Sequence, residues 1–129
     1  MMLLPVGMLG AFVPHSFFED FPLGRGWLAV DGVYNEHLAG GVGSLYLSLV
    51  VATAFAMRER ALVRPIAAGW FVQGVLHIGY HFRYLHLYDA PLDKIGVIVT
   101  LLAIPILAAI ALVANATSAG LRRMPPNAV

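Results

Sequence analysis

Residues 38–57, LAGGVGSLYLSLVVATAFAM, contain no Asp, Glu, Lys, Arg or His. At a rise of 1.5 Å per residue, a helix of this length covers about 30 Å, which is the thickness of the hydrocarbon core of a bilayer. A stretch of this length and composition predicts a transmembrane helix rather than a helix of a soluble core. We therefore expect an all-α integral membrane protein.

The composition of the whole sequence supports this expectation. Its 129 residues are 60% hydrophobic and 12% charged, whereas roughly 25% of the residues of a soluble domain are charged. The net charge of +1 and the absence of Cys provide neither a basic face for phosphates nor a disulfide or thiolate metal site. We expect the lipid bilayer as a partner and no nucleic acid.

Three further uncharged stretches predict additional spans. They cover residues 1–18, 65–82 and 95–116, and the third helix reaches residue 88 if it continues past Phe82. Pro65 suits the first turn of a helix, where its missing N–H would be unpaired in any case. Together with 38–57 they predict a four-helix bundle that forms a single transmembrane domain over residues 1–129.

The basic residues predict the orientation of this bundle. With four alternating helices, one side carries five basic residues (Arg58, Arg60, Arg64, Arg122 and Arg123) and the other carries three (Arg25, Arg83 and Lys94). Cytoplasmic loops carry the excess of Lys and Arg. We therefore expect cytoplasmic N and C termini in a plasma membrane.

The second predicted span carries small residues at four-residue spacing, which places them on one face of a helix. Such faces let membrane helices approach closely. This stripe either packs the helices of this protein together, which we favour, or docks another membrane subunit or a second copy. Its members are Gly40, Ser44, Ser48, Ala52 and Ala56.

The third predicted span carries a line of polar side chains that includes His77 and His81, four residues apart. Two imidazoles at this spacing on one helix can share a metal ion. Asn35 is expected to cap the second span, and Glu36 and His37 follow it at the same membrane depth. A set of His77, His81, His37 and Glu36 predicts a site for zinc, copper or iron. Haem ligation and a hydrogen bond to a quinone carbonyl remain alternatives, as does a structural cluster at the membrane interface, which we favour.

No arrangement of residues predicts nucleophilic catalysis. Ser44, Ser48 and Thr53 lie among apolar neighbours, and a base would have to come from another helix at a different depth. We therefore expect no catalytic residues.

The segments SFFEDFP, GRGW, VYNEHLAGGVG and HIGYHFRYLH resemble those of small four-helix membrane proteins of actinobacteria. These proteins are broadly DoxX-like or belong to related domains of unknown function. The matching elements are Phe18 to Pro22, Asn35 to His37, and His77 with Tyr80 and His81, and the resemblance covers most of residues 16–112. It implies a four-helix bundle, and some DoxX-like relatives are small subunits of membrane oxidoreductases that handle quinol.

Three functions are consistent with these features. The leading expectation is a non-catalytic accessory subunit of a larger membrane complex, such as an oxidoreductase or a monooxygenase. The second is a redox module that uses the histidines to bind a metal or haem or to contact a quinone. The third is an oligomeric carrier or channel, although no Asp, Glu, Lys or Arg lies in the middle of any predicted span.

Overall fold

The computed structural model describes residues 3–123, with side chains described up to residue 117. Within that range the protein is helical, with two short 3-10 turns at Ala29–Asp31 and Leu85–Leu87. The five α-helices are α1 (Leu3–Phe12), α2 (Pro14–Asp20), α3 (Glu36–Arg58), α4 (Arg60–Tyr84) and α5 (Pro91–Arg123).

Three helices are long and apolar enough to cross a membrane. These candidate spans are Glu36–Arg58, Arg60–Leu87 and Pro91–Thr117. Large apolar side chains stay exposed on each of them, with 57% of Leu45, 70% of Leu76 and 63% of Leu107 accessible. An apolar surface of this kind is stable in lipid and costly in water. The termini whose side we predicted, residues 1–2 and 124–129, lie outside the described range.

The first predicted helix, over residues 1–18, is wrong as a single element. It is divided at Val13 into α1 and α2, of 10 and 7 residues. Pro14 causes the division, because a residue before proline is forced out of the α region, and Val13 has φ −138° and ψ 57°. Helical hydrogen bonds reach Val13 from both sides, since Val13 N–H donates to the Leu9 carbonyl (2.9 Å) and Phe17 N–H to the Val13 carbonyl (3.0 Å).

The starts of α3 and α4 are set by capping side chains. The predicted cap at Asn35 is confirmed, because its side-chain oxygen accepts a hydrogen bond from Leu38 N–H at 3.0 Å. The predicted start of the third span at Pro65 is wrong, since α4 begins at Arg60 and contains Pro65. Glu59 caps it instead, by accepting from Ala61 N–H at 3.2 Å.

The ends of the two last helices also differ from prediction. α4 stops at Tyr84 and does not continue to residue 88, because a 3-10 turn over Leu85–Leu87 redirects the backbone. α5 is longer than the predicted 95–116, since it begins at Pro91 and reaches Arg123. Pro91 at its first position needs no hydrogen-bond partner for its nitrogen.

α1 crosses α3 where glycines meet. A methyl group on Gly10 would lie 2.8 Å from the Cα of Gly43, and one on Gly43 would overlap the backbone of Gly10 and Ala11. Only hydrogen side chains permit this approach, which is the usual way that small residues bring membrane helices together. The crossing fixes α1 and the start of α2 against the first half of α3.

α4 packs on α5 through a second close approach. A methyl group on Gly74 would lie 2.9 Å from the backbone nitrogen of Pro105, and both residues are buried. α3 joins α4 through the stacked rings of Tyr46 and Trp70, whose centroids are 6.3 Å apart. Trp70 Nε1–H also donates to Thr53 Oγ1 at 2.8 Å. These contacts turn toward Tyr46 the face of α4 that carries its polar residues.

Candidate functional site

A hydrogen-bond network runs along the inner face of α4 and links it to α3 and to the segment after α4. Tyr46 OH lies 3.0 Å from His77 Nδ1, and His77 Nε2 lies 3.1 Å from His81 Nε2. His81 Nδ1 in turn lies 3.2 Å from Tyr88 OH. Gln73 Nε2 contacts both Tyr46 OH (3.1 Å) and His77 Nδ1 (3.0 Å). We call these five residues the histidine network.

The position of every proton in this network follows from its last acceptor. Tyr88 OH donates to the backbone carbonyl of Trp27 at 3.1 Å, and a carbonyl can only accept. The single hydroxyl proton of Tyr88 is therefore used, so His81 Nδ1 must carry the proton that it shares with Tyr88 oxygen. A neutral His81 then has only an acceptor at Nε2, so His77 donates from Nε2 and accepts from Tyr46 OH at Nδ1. With both imidazoles neutral, all the donors point toward Trp27.

This assignment leaves no ring nitrogen free in either imidazole. Each of the two ring lone pairs, at His77 Nδ1 and His81 Nε2, accepts a hydrogen bond within the network. A metal ion needs such a lone pair, so it would have to displace one of these bonds. Gln73 Oε1 is the buried acceptor of the cluster that has no hydrogen-bond partner among the described residues.

Trp27 attaches the loop before α3 to the histidine network and to α5. Its backbone carbonyl accepts from Tyr88, and its indole Nε1–H donates to Asp93 Oδ1 at 3.0 Å. Asp93 also forms an ion pair with Arg25. The edge of the indole lies on Gly96, where a methyl group would be 2.9 Å from two ring carbons. The loop is thus an ordered cover on this end of the helices.

A cavity of about 400 Å³ lies beneath this cover. We call it the loop-end cavity. His77, His81 and Asp31 line it, together with aliphatic side chains of α1, α3 and α5. Four of its polar side chains, Tyr46, His77, His81 and Tyr88, are already bonded in the histidine network. Its aromatic lining consists of Phe17, Phe18, Phe21, Trp27, Tyr46, Tyr80 and Tyr88.

Three polar side chains of the cavity have no partner within residues 3–117. Asp31, in the 3-10 turn of the loop, makes no side-chain hydrogen bond or ion pair, and the hydroxyls of Tyr80 and Thr100 are also unbonded. Asp31 is exposed by its accessible surface but borders the cavity. Burial raises the pKa of its carboxyl above the ordinary value. Burial also raises the pKa of Tyr88 to about 12, so its hydroxyl remains a donor at any physiological pH.

A second cavity of about 440 Å³ lies toward the other end of the helices, bordered by Met57, Ile66 and Leu107. No His, Asp or Glu lines it. Its polar side chains, Thr53 and Trp70, are bonded to each other, so it provides room for an apolar chain, and the loop-end cavity is the candidate site.

The structure brings together only two of the four predicted metal ligands. Glu36 and His37 are exposed at the start of α3, and the described residues contain no group of three or more His, Asp or Glu that could hold a metal ion. His15 pairs with Glu19 at 3.4 Å on α2. His86 is exposed on the 3-10 turn, with its ring 6.4 Å from that of Tyr84.

The predicted small-residue stripe does not form the internal helix crossings. Ser44 and Ser48 are exposed, and Gly40, Ala52 and Ala56 are half-buried. The hydroxyls of the two serines donate to the carbonyls one turn earlier, at 2.9 Å each. The crossing with α1 uses Gly43, on the adjacent face of α3. The middle of the stripe therefore faces away from the other helices described here.

Sequence reasoning missed Tyr46, Asp31 and the central position of Trp27. Tyr46 is the only Tyr in the uncharged stretch of α3. A single hydroxyl in the middle of a span requires a hydrogen-bond partner, and this was the available signal. Asp31 and Trp27 lie in an irregular loop, where no periodicity indicates which side chains point inward. The prediction that His77 and His81 lie together is confirmed by their 3.1 Å contact.

No family model, curated protein or solved structure matches this sequence. The resemblance to DoxX-like proteins therefore stays a prediction.

Proposed function

We propose that this protein is a multi-pass plasma-membrane protein that binds a small amphiphilic molecule in the loop-end cavity. The observation that carries the proposal is a cavity of about 400 Å³ that has an aromatic lining and, on one side, the hydrogen-bonded side chains of the histidine network. Ligand sites are usually mainly apolar clefts of about 300–1,000 Å³ with a few placed polar groups. The histidine network rigidifies this side, because each of its members is held by at least one neighbour.

The membrane arrangement that we propose has four crossings. α1 and α2 together would make the first, since their 18 residues from Leu3 to Asp20 cover about 27 Å at 1.5 Å per residue. The two helices meet at Val13 with no intervening loop, which supports this. The turn with Arg58, Arg60 and Arg64 would then be cytoplasmic, as would the termini, and the loop-end cavity would open outside.

The binding proposal can be tested with a cavity-filling variant in nanodiscs. Val42 borders the cavity and Val51 does not, and both lie on α3. We expect saturable changes in tryptophan emission when cationic, neutral or anionic aromatic amphiphiles are titrated, because Trp27 lines the cavity. Val42→Phe should abolish the saturable change for the ligand that binds, and Val51→Phe should retain it. Equal behaviour of the two variants, or no saturable binding by any amphiphile, would reject the proposal.

A second candidate, the accessory subunit, is favoured by one observation. Ser44 and Ser48 lie exposed in the middle of a stripe that no described helix of this protein covers, and small residues promote close packing of membrane helices. We propose a partner helix there as the alternative. Purification in mild detergent from the native membrane tests it: Ser48→Leu should release a co-purifying subunit, whereas Val51→Leu should not. A wild-type protein that purifies as a monomer without a partner would contradict it.

A further inference from the structure

We propose that the ligand of the loop-end cavity is an organic monocation, an amine or quaternary ammonium on an aromatic or apolar body, and that Asp31 is the residue that binds its charge. This inference rests on the proposed binding function and adds the chemical class of the ligand. It follows from the charge of the cavity, from the nature of its walls, and from which polar groups remain free.

The charge of the cavity is negative and uncompensated. Asp31 is the acidic residue of the lining, and none of the lining residues is Lys or Arg. Arg25, the basic residue of the same loop, is already paired with Asp93. Because both imidazoles of the histidine network are neutral, nothing in the described lining balances the carboxylate, and a cationic ligand would do so.

The walls suit a cation better than a neutral or anionic molecule. The faces of aromatic rings attract organic cations, and cages of such rings with a nearby carboxylate recognise quaternary ammonium groups. Phe18, Trp27 and Tyr80 border the cavity from three elements, which are α2, the loop before α3, and α4. An anion would meet Asp31 and the negative ring faces, and both are repulsive.

The histidine network argues against recognition of a quinone carbonyl. Such a carbonyl needs an N–H or O–H donor, and the imidazole N–H groups already donate to His81 and Tyr88. Tyr80 and Thr100 carry the free hydroxyls of the lining. Neither hydroxyl balances the charge of the carboxylate, whereas a protonated amine would donate to Asp31 and a quaternary ammonium would pair with it by charge alone.

Cation binding should be coupled to a proton on Asp31. The groups that face it are His77 and Tyr80 from α4 and Tyr88 from the segment after α4. All three are neutral, so none of them balances the negative charge of Asp31. A bound cation stabilises the carboxylate, so binding expels the proton wherever Asp31 holds one. Affinity therefore rises with pH until the free protein has lost this proton.

The test compares benzyltrimethylammonium with neopentylbenzene, its uncharged isostere, on the protein in nanodiscs. We expect the wild type to bind the cation at least about tenfold more tightly than the isostere. Asp31→Asn, a nearly isosteric change at an exposed residue, should remove this preference and the pH dependence of binding. Asp89→Asn, in the same end of the molecule but outside the cavity lining, should keep both.

The outcomes separate the two proposals. Equal binding of the cation and its isostere, tighter binding of a quinone such as duroquinone, or an undiminished cation preference in Asp31→Asn would overturn the inference while leaving a binding cavity. Failure of every compound to bind, with Val42→Phe indistinguishable from Val51→Phe, would overturn the proposed function as well.

Discussion

His77 Nε2 and His81 Nε2 face each other at 3.1 Å, and we infer from the hydrogen-bond pattern that the one proton between them is carried by His77. The Trp27 carbonyl determines the position of that proton through the successive hydrogen bonds of Tyr88 and His81. The pair is therefore the middle of a directed hydrogen-bond network and not an open pair of ligands.

We predict that the tautomers can be observed directly. In ¹⁵N-histidine-labelled protein, each of the two rings should show one protonated and one unprotonated nitrogen near neutral pH, with the proton on Nδ1 of His81 and Nε2 of His77. The assignment follows from the fixed donor at Tyr88. A proton found on Nδ1 of His77 would contradict the proposed direction. Tyr88→Phe should release the constraint and allow both tautomers of His81.

Removal of His81 is expected to destabilise the protein. His81→Ala leaves the Nε2–H of His77 without an acceptor and Tyr88 oxygen without a donor, and each unsatisfied buried group costs about 1–3 kcal/mol. The free energy of unfolding in detergent should fall by that order. His86→Ala is the control, because His86 is exposed and lies outside the network. A similar loss for both variants would mean that the network does not contribute to stability.

The crossing of α1 and α3 should tolerate no side chain at Gly43. Gly43→Ala places a methyl group against the backbone of Gly10 and Ala11, and overpacking of this kind typically costs about 1–3 kcal/mol. Gly41→Ala, two residues earlier on the same helix, meets open space and should raise stability by up to about 1 kcal/mol, because alanine favours helix. Thermal unfolding of the two variants tests this, and a harmless Gly43→Ala would refute the crossing.

The stability of the protein should depend on pH through Asp31. Its pKa is raised in the folded state, so the folded protein holds this proton more tightly than the unfolded chain. The resulting stabilisation is complete below the ordinary pKa of an aspartate and is lost as pH rises through the higher folded pKa. The difference in unfolding free energy between wild type and Asp31→Asn should fall across that range and then level off. A difference that grows with pH would give the opposite sign and refute the prediction.

Local signals in the sequence predicted much of this fold. The uncharged stretch 38–57 lies within α3, and the cap at Asn35 is confirmed, because both depend on neighbours in sequence. The His77 and His81 pair was predictable for the same reason, since helical geometry alone places residues four apart side by side. The break at Val13 was available in principle, as Pro14 acts on the residue before it.

The site could not be completed from the sequence because depth and rotation are different quantities. Charge patterns suggested a common depth for Glu36, His37 and His77, but His77 contacts Tyr46, which lies ten residues further along α3 than Glu36. Charge patterns also do not indicate which way a helix is turned about its own axis, and that is set by Gly43 against Gly10. This rotation turns Tyr46 toward α4, while Glu36 and His37 remain exposed.

The final acceptor of the histidine network is a main-chain atom, and this has an evolutionary consequence. Mutation can exchange the indole at position 27, and with it the bond to Asp93, but every amino acid supplies the same carbonyl there. The direction of the proton arrangement should thus survive drift at this position as long as the loop keeps its path. Tyr88 and Tyr46 are not protected in this way, since a single codon change to Phe would delete the hydroxyl of either residue.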